Sequence, residues 1–348
     1  MANSYHIEEA DLSECASDIE ALWSTNLIGY TVAGASAKLR LGYVDNPAEH
    51  GTVLLLYPVG GRVPCGAQGL HPRTFHLGTR RLRVAGLADF AIDVAHRSLG
   101  PALTLTRHAV ALCAERFNIT YGLPNAKAAP VLARAGFKRF GVMRRYAKPL
   151  ATRDKLTQRM PAWLARCCAP MLDRALGAQD QLRELRLRTR LACLPTTWDD
   201  PEFDTLWARR PSALLLSERS AAMLRWRFGA KGRADWRACI GRDRHGEARG
   251  YVVWRMHQGF AEIGDFFSAD PDAWTVPLML SFARLARAAG AASVSVAFFG
   301  RSEVAERLQT SGMRLRPGEA PLFKLPGAAP DLDVPEHWYV TAFDNDED

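Results

Sequence analysis

The sequence predicts an α/β (α+β) fold in two tandem domains, each with a sheet flanked by helices. One order of strands and helices occurs twice, with similar intervals between corresponding landmarks. Asp93, at a strand end, lies 43 positions before the helix-ending Gly136, and Asp265 lies 47 positions before Gly312. A chain of 348 residues is also long for a single hydrophobic core, which favours two domains.

The first half alternates apolar strands with amphipathic helices. Its predicted elements are strands at 53–57 and 87–94, a helix at 101–116, a strand at 119–123, a helix ending at Gly136 and a strand at 137–146. The long helix is indicated by Leu103, Val110, Cys113 and Phe117, which recur at helical spacing.

The second half repeats this organisation. Its predicted elements are strands at 236–241, 250–256 and 260–267, a helix at 275–289, a strand at 293–299 and a helix ending at Gly312. Leu278, Phe282 and Leu285 form the apolar side of the first helix, and Ser302 is placed to cap the second.

A helical connector joins the halves, and Pro170 should kink it. The boundaries that we expect are a first domain at 1–150, the connector at 151–190 and a second domain at 191–348. Residues of one connector stripe are apolar: Trp163, Leu164, Cys167, Cys168, Met171, Leu172, Ala175 and Leu176. This stripe predicts packing between the domains. The alternative is a helix on a membrane surface, which nearby arginines favour and Asp180 and Glu184 oppose.

The composition is that of a soluble globular protein, with 48% hydrophobic and 24% charged residues. The net charge of +8 is spread over scattered arginines, and residues 344–348 are acidic, so the charge pattern does not favour nucleic acid as a partner. The N-terminus lacks signal-peptide features, and no apolar run is long enough for a bilayer, so we expect a cytoplasmic protein. Seven cysteines without C-x-x-C spacing predict neither a disulfide framework nor a metal site.

The loop that follows the strand at 87–94 has the features of a phosphate-binding site. It contains an Arg97-x-x-Gly100-x-Ala102 sequence and leads into a helix at Pro101. The free amides at a helix N-terminus and the helix dipole both favour an anion there. Gly100 allows a ligand to approach the backbone, and Arg97 adds a cation.

Downstream, Asn125-x-x-Ala128 is followed by Gly136-Phe137. Together with the loop, this pair of motifs resembles the GNAT acyltransferase superfamily over roughly residues 50–148. The resemblance implies a mixed, mostly antiparallel sheet in each domain and acetyl-CoA or another acyl-CoA as co-substrate. It places Asn125 on the pantetheine side. The remaining residues implied to contact the cofactor are Ile92, Val94, Arg97, Ser98, Leu99, Gly100 and Ala102.

The sequence departs from the family pattern at several positions. Leu132 stands where many relatives have a tyrosine that protonates the leaving thiolate, and Pro101 removes one amide from the loop. In the second half, Asp270 and Asp272 replace the phosphate-binding loop and would repel a pyrophosphate. We therefore expect a degenerate second domain. The paired arrangement is similar in outline to that of the Fem-type aminoacyltransferases.

Candidate catalytic residues lie beside the loop. Asp89 is the candidate base and Tyr121 a candidate acid for the attack of an amine on a thioester. In the second half, Asp265 and Arg227 are candidate substrate ligands. Ion pairing between Asp265 and an arginine is at least as good an interpretation, and an arginine beside a tryptophan, as Arg227 is, more often has a structural role.

These residues predict an acyl-CoA-dependent N-acyltransferase that moves an acetyl or similar small acyl group to a primary amine by direct attack. A covalent intermediate is disfavoured because Cys113 lies on an apolar helix face without a placed histidine. Acceptors could be an amino sugar, a peptide-like envelope precursor or a small metabolite. The alternatives are a catalytically silent ligand-binding or sensor protein, and Fem-like aminoacyl transfer.

Overall fold

The protein is described by a computed structural model over residues 5–229, 235–327 and 329–345, and these residues fold around one mixed sheet of fourteen strands. The strands of the first half are β1 (Tyr5–Glu9), β2 (Thr52–Pro58), β3 (Gly66–Leu77), β4 (Arg80–Ile92), β5 (Ile119–Gly122) and β6 (Lys138–Pro149). The strands of the second half are β7 (Ala192–Thr196), β8 (Leu215–Ser217), β9 (Arg237–Arg242), β10 (Ala248–His257), β11 (Phe260–Ser268), β12 (Ser293–Gly300), β13 (Arg314–Lys324) and β14 (Trp338–Thr341).

Ten α-helices of the described residues surround this sheet. They are α1 (Ala16–Asn26), α2 (Val32–Leu39), α3 (Leu99–Arg116), α4 (Ala129–Arg134), α5 (Arg153–Thr157), α6 (Ala162–Leu185), α7 (Glu202–Ala208), α8 (Ala221–Phe228), α9 (Pro271–Ala288) and α10 (Ser302–Thr310). The predicted α/β (α+β) class is therefore confirmed. Most neighbouring strands are antiparallel, whereas β4 with β5, β11 with β12 and β8 with β14 are parallel pairs.

The two faces of the first-half sheet pack against different helices because successive strand residues point to opposite faces. On β2, Val53 and Leu55 join a core cluster with α1 and α2, whereas Leu54 and Leu56 join a cluster with α3 and α4. One face of the sheet is therefore covered by α1 and α2 (the α1–α2 face), and the other by α3 and α4 (the α3–α4 face). A gap between β4 and β5 can be approached from both faces.

The two halves exchange one strand each, β6 of the first half and β13 of the second. The order across the centre of the sheet is β4, β5, β13, β6, β12 and β11. Strand β13 of the second half pairs with both β5 and β6, and β6 of the first half pairs with both β13 and β12. Each half therefore receives one strand from the other.

The predicted elements differ from the structure mainly at their ends. Val94 lies in a short 3-10 turn beyond β4, and α3 begins two residues before Pro101. Ser302 is the first residue of α10 rather than its cap, and its amide donates to the carboxylate of Glu336 at 2.6 Å. Of the stretch at 229–232 that resembles a turn, residues 230–232 lie outside the described residues.

The helix α6 spans the predicted connector, but most of the predicted apolar stripe does not pack against the body. Ala165, Ala169 and Asp180 face inward, while Trp163, Met171 and Leu172 are exposed. Within the described ranges, no helix has the length and hydropathy that a membrane span requires.

Candidate functional site

A gap opens between β4 and β5 at the centre of the first half. The two strands pair in parallel only along Val84–Leu87 of β4 and 119–122 of β5. Beyond Leu87, β4 continues to Ile92 while it remains paired with β3. The edge of β4 that faces the gap therefore has no strand partner among the described residues there.

A β-bulge at Asp89 shapes this edge. The β3–β4 register shifts so that Asp89 and Phe90 of β4 together oppose Gln68 of β3. Asp89 adopts φ of 50°, in the left-handed region that side chains rarely occupy. Gln68 supports the bulge because its Nε2 donates to the Ala88 carbonyl at 2.8 Å. A bulge leaves main-chain groups without ladder partners and bends the strand, often beside a functional site.

The predicted phosphate-binding loop leads from the end of β4 to an open helix N-terminus. Asp93 fixes the 3-10 turn because its carboxylate accepts from the Ala95 amide at 2.9 Å. Helix α3 then starts at Leu99 after Ser98, whose side chain makes no capping bond. A side chain added at Gly100 would meet nothing within 4 Å. The first amides of α3 are therefore accessible to an anion from solvent.

The side chains of the predicted cofactor residues fall into two groups. Val94, Arg97, Ser98, Leu99 and Gly100 are exposed, whereas Ile92 and Ala102 are buried in the α3–α4 core cluster and can offer only backbone groups. The guanidinium of Arg97 turns back to donate to the Ile92 carbonyl at 3.2 Å and to Asn26 Oδ1 at 3.0 Å. In this arrangement Arg97 braces the loop, and the amides provide the anion site.

Asn125 has a local structural role in the turn before α4. Its Oδ1 accepts from the amides of Lys127 and Ala128, both at 3.0 Å. Its side chain is exposed, and its predicted position beside pantetheine stays a prediction. Leu132 is buried in the core, close enough that a side chain at Gly122 would press on it.

The predicted base, Asp89, is the centre of a buried polar cluster. Its carboxylate lies 2.9 Å from Lys38 Nζ and 3.4 Å from His71 Nε2, and it accepts a 2.5 Å hydrogen bond from Tyr43. Burial acts to raise the pKa of Asp89, but the charge of Lys38 and the bonds from His71 and Tyr43 outweigh it and lower the pKa to about 2. Such a carboxylate stays ionised and is a poor proton acceptor at neutral pH. The predicted role of Asp89 as the base stays a prediction, which this low pKa does not favour, and its carboxylate lies where it can orient His71.

His71, Gly86 and Tyr121 form a row across three strands. Gly86 of β4 pairs with His71 of β3 on one side and with Tyr121 of β5 on the other. Because paired residues share a face, both side chains lie over the glycine, which contributes no side chain of its own. The result is a small cleft, with room for about one water in a volume of about 10 Å³. Arg73, Asp344 and Asn345 complete its walls.

His71 is a residue that sequence reasoning missed, and its position in the cleft becomes visible only in the structure. Among the described residues, no group of three or more His, Cys, Asp or Glu side chains could hold a metal. The informative signal is the alternation of Gly69, His71 and Arg73 on one face of β3, opposite Gly86.

The predicted acid, Tyr121, and the predicted substrate ligand, Arg227, both hold the C-terminal turn over this cleft. The hydroxyl of Tyr121 donates to the Asp344 carbonyl at 2.6 Å. Arg227 donates to the Phe343 carbonyl at 3.3 Å and to the Asn345 carbonyl at 2.9 Å. Arg227 is therefore a support of the cleft wall, which corrects its predicted contact with substrate.

Arg73 presents unused hydrogen-bond donors to the same cleft. Its side chain is 4% exposed, and its Nη2 donates to the Asn345 carbonyl at 3.4 Å. Its Nε and Nη1 have no hydrogen-bond partner within the described residues. Buried donors without partners are uncommon, and a guanidinium with two free N–H groups suits a carboxylate or phosphate.

The predicted substrate ligand Asp265 is fully buried far from solvent. It pairs with Arg219 at 3.1 Å and accepts from Tyr251 at 2.7 Å and from Thr341 at 2.6 Å. Burial raises the pKa of Asp265, although Arg219 opposes this shift. Arg219 also binds Asp344 at 2.9 Å, so the cluster ties β11 to the C-terminal turn. The structure corrects the prediction of substrate contact and favours the ion-pair interpretation, with a different arginine.

The second half presents a carboxylate where the first half has its open loop. Asp270 caps α9 by accepting from the Ala273 amide at 3.1 Å. A capped, negatively charged helix N-terminus does not suit a pyrophosphate. The expectation that the first half alone binds the cofactor remains a prediction that this geometry favours.

Comparisons with known proteins reveal relatives by structure alone. No protein-family model and no curated protein sequence matches the chain. A GCN5-related N-acetyltransferase from Anabaena variabilis ATCC 29413 is similar in structure, with a TM-score of 0.64 and 13% identity over 92% of this chain and 72% of that one. A second such enzyme, from Kribbella flavida, has a TM-score of 0.58 and 15% identity over 92% and 71% of the two chains.

An N-myristoyltransferase from Saccharomyces cerevisiae with bound myristoyl-CoA is also similar. The TM-score is 0.54 and the identity 11%, over 96% of this chain and 85% of that one. At these identities the likeness concerns the fold. The chain has the fold that GCN5-related N-acetyltransferases and N-myristoyltransferases share.

Proposed function

We propose that the protein is an acyl-CoA-dependent N-acyltransferase that transfers an acetyl or other small acyl group to a primary amine. One observation carries this proposal. The bulged, unpaired edge of β4 leads through a short 3-10 turn to the open N-terminus of α3, in a fold shared with an N-myristoyltransferase that has bound myristoyl-CoA. These elements offer amides both to a diphosphate and to a thioester carbonyl.

The donor would enter from the α3–α4 face. Its diphosphate would bind the exposed amides around Leu99 and Gly100, where the helix dipole adds to the attraction. The pantetheine arm would follow the free edge of β4 into the gap. A bulge amide near Asp89 would then polarise the thioester carbonyl, since unpaired N–H groups in a closed site stabilise a developing oxyanion.

The acceptor would approach from the α1–α2 face, where the cleft between His71 and Tyr121 lies. The amine nitrogen attacks the thioester carbon, the C–N bond forms, and the C–S bond breaks as the tetrahedral intermediate collapses. His71 takes the proton that the nitrogen loses, and ionised Asp89 stabilises the resulting imidazolium. The thiolate of CoA is a good leaving group, and the nearby Tyr121 hydroxyl can protonate it once its hydrogen bond to the Asp344 carbonyl is released.

Arg73 favours an acceptor that carries an anionic group near its amine. Its two unpartnered donors lie on the same strand face as His71, two residues away. A carboxylate or phosphate on the acceptor would satisfy both donors at once. Among the expected acceptors, an envelope precursor with a peptide carboxylate and an acidic metabolite both meet this requirement, whereas a neutral amino sugar does not.

Donor binding and transfer can be tested separately. Calorimetry with acetyl-CoA measures binding, and a thiol-release assay over pairs of amines with and without a carboxylate measures transfer. Gly100→Trp should abolish acetyl-CoA binding because the indole would fill the space in front of the amides. Gly177→Trp is the matched control, since a side chain there also meets nothing within 4 Å, but on α6. Equal affinities of both variants would contradict the proposed donor site.

A catalytically silent acyl-CoA-binding protein is the second candidate function. The C-terminal turn leaves room for about one water in the acceptor cleft, in a volume of about 10 Å³, and Leu132 cannot donate a proton. Acetyl-CoA binding without thiol release across the amine panel would support this candidate. Aminoacyl transfer from charged tRNA instead requires salt-dependent RNA binding. Failure of the protein to bind tRNA at low salt would exclude this function.

A further inference from the structure

The outward side of α6 carries a continuous stripe along its whole length. Successive members are spaced by four, four and three residues, and this eleven-residue pattern keeps them in line on a straight helix. The stripe consists of Trp163, Cys167, Met171, Arg174, Ala178, Leu182 and Leu185, and every one of these residues is exposed. Trp163 is 68% exposed, Met171 72% and Leu185 63%. Exposed large apolar residues in a row mark an interaction surface.

All three acidic residues of α6 face the body of the protein and are engaged there. Asp173 accepts from the Thr152 amide at 2.8 Å, and Asp180 pairs with Lys148 at 2.7 Å. Glu184 pairs with Arg284. Their charges are therefore compensated on the inward side.

The charges on the outward side of α6 are positive. Arg174 lies within the stripe and Arg166 beside it, and both are exposed. Arg159 and Arg186, which flank the helix, are exposed as well. The folded helix thus presents apolar and cationic side chains together, although its sequence contains acids that would dilute the charge.

We infer that α6 docks on the surface of an anionic lipid bilayer. A helix that combines a large apolar stripe with arginines lies in the headgroup region, with its apolar residues at the acyl boundary. Tryptophan is favoured at that depth, and the long stem of Arg174 allows its guanidinium to reach the phosphates. The stripe runs about 33 Å along the helix, at about 1.5 Å per residue. This inference does not depend on the proposed transferase activity.

The position of Arg174 argues against a second copy of the chain as the occupant. Arg174 lies eleven residues from both Trp163 and Leu185, at the centre of the stripe. A parallel two-fold pairing of two such helices, or an antiparallel one that covers the whole stripe from Trp163 to Leu185, would bring Arg174 against its own counterpart. Two like charges at the centre of an apolar interface would be desolvated and would repel each other.

Vesicle co-sedimentation of the full chain tests the inference. The protein should bind phosphatidylcholine vesicles that contain phosphatidylserine, bind pure phosphatidylcholine weakly, and lose binding as salt rises. The double variant Met171→Asp and Leu182→Asp should weaken binding by about tenfold or more, because it removes two inserted apolar side chains. The double variant Val59→Asp and Val63→Asp is the matched control, because these valines are 66% and 73% exposed on another part of the surface.

Three results would overturn the inference. They are an absence of binding to anionic vesicles at low salt, equal losses in the two double variants, and a dimer in light scattering that only the α6 double variant dissolves. Circular dichroism of each variant verifies that the fold is kept. The exposure of all four substituted residues makes a loss of fold an unexpected outcome.

Discussion

The ammonium of Lys38 lies 2.9 Å from the carboxylate of Asp89, and less than a tenth of either side chain is exposed. Lys38 belongs to α2 and Asp89 to the bulge of β4, so this pair connects a helix to the edge of the gap. Because of this pair, the conformation of the bulge and the orientation of His71 both depend on α2.

Asp89→Asn should destabilise the protein strongly. The substitution leaves the ammonium of Lys38 buried without its carboxylate, although it still donates to the Tyr30 hydroxyl, and the loss of the buried ion pair costs about 3–5 kcal/mol. Urea denaturation measures the loss. Asp45→Asn is the matched control, because the Arg40–Asp45 pair is exposed and should contribute less than about 1 kcal/mol. Similar small losses for both variants would contradict the role given to Lys38 and Asp89.

The pH dependence of stability should carry the signature of Asp89. Its folded pKa of about 2 lies below its ordinary value of 3.8, so its stabilisation is complete above pH 4 and is lost as the pH falls towards 2. The contribution is on the order of 2 kcal/mol. Unfolding free energies of the wild type and Asp89→Asn should therefore converge as the pH is lowered from 5 to 2. A constant difference over this range would show that the pKa of Asp89 is the same in the folded and unfolded states.

Gly69→Ala should also weaken the cluster. An added methyl group at Gly69 would overlap the hydroxyl of Tyr43, which must then move away from Asp89. We expect a loss of about 2–3 kcal/mol in the free energy of unfolding. Gly177→Ala, in the open on α6, should instead stabilise by up to about 1 kcal/mol. An unchanged free energy of unfolding in Gly69→Ala would show that the Tyr43 hydroxyl does not occupy this position.

Tyr121→Phe should loosen the C-terminal turn without changing the core. It removes the hydrogen bond to the Asp344 carbonyl, which contributes about 1 kcal/mol. Hydrogen exchange at the amide of Phe343 should become about fivefold faster. Tyr5→Phe is the control: it removes the hydroxyl bonded to His96 and should leave hydrogen exchange at the Phe343 amide unchanged. Unchanged exchange in Tyr121→Phe would show that Arg227 and Arg219 hold the turn without it.

His71→Gln should separate catalysis from donor binding if the proposed function holds. Loss of the proton acceptor should lower kcat by about a hundredfold or more, while the affinity for acetyl-CoA stays the same. A variant with full kcat would assign the proton to another group.

The sequence predicted the fold class and the loop at Gly100 because both leave local signals. Apolar periodicity reports the elements, and a short strand–loop–helix sequence reports an open helix N-terminus. The exchange of β6 and β13 leaves no such signal, because either strand could pair within its own half. The role of Asp89 was equally hidden, since Lys38, His71 and Tyr43 reach it from three different segments.

The same limit explains the errors about Asp265, Arg227 and the stripe of α6. A buried aspartate that needs an arginine can be recognised from sequence, but not that its partner is Arg219. The contact between Arg227 and the C-terminal turn joins positions more than a hundred residues apart. For α6, periodicity shows which residues are apolar, and only the surrounding elements decide whether that side is covered.

Because β6 and β13 are exchanged, the sheet of the first half is completed only after residues 314–324 have been synthesised. When the first half leaves the ribosome, residues 314–324, which lie between β5 and β6 in the folded protein, have not yet been synthesised. The nascent chain must keep the facing edges of β5 and β6 unpaired and soluble until translation is nearly finished. A nascent chain that stalls anywhere before β13 would consequently present exposed strand edges to other proteins instead of a finished domain.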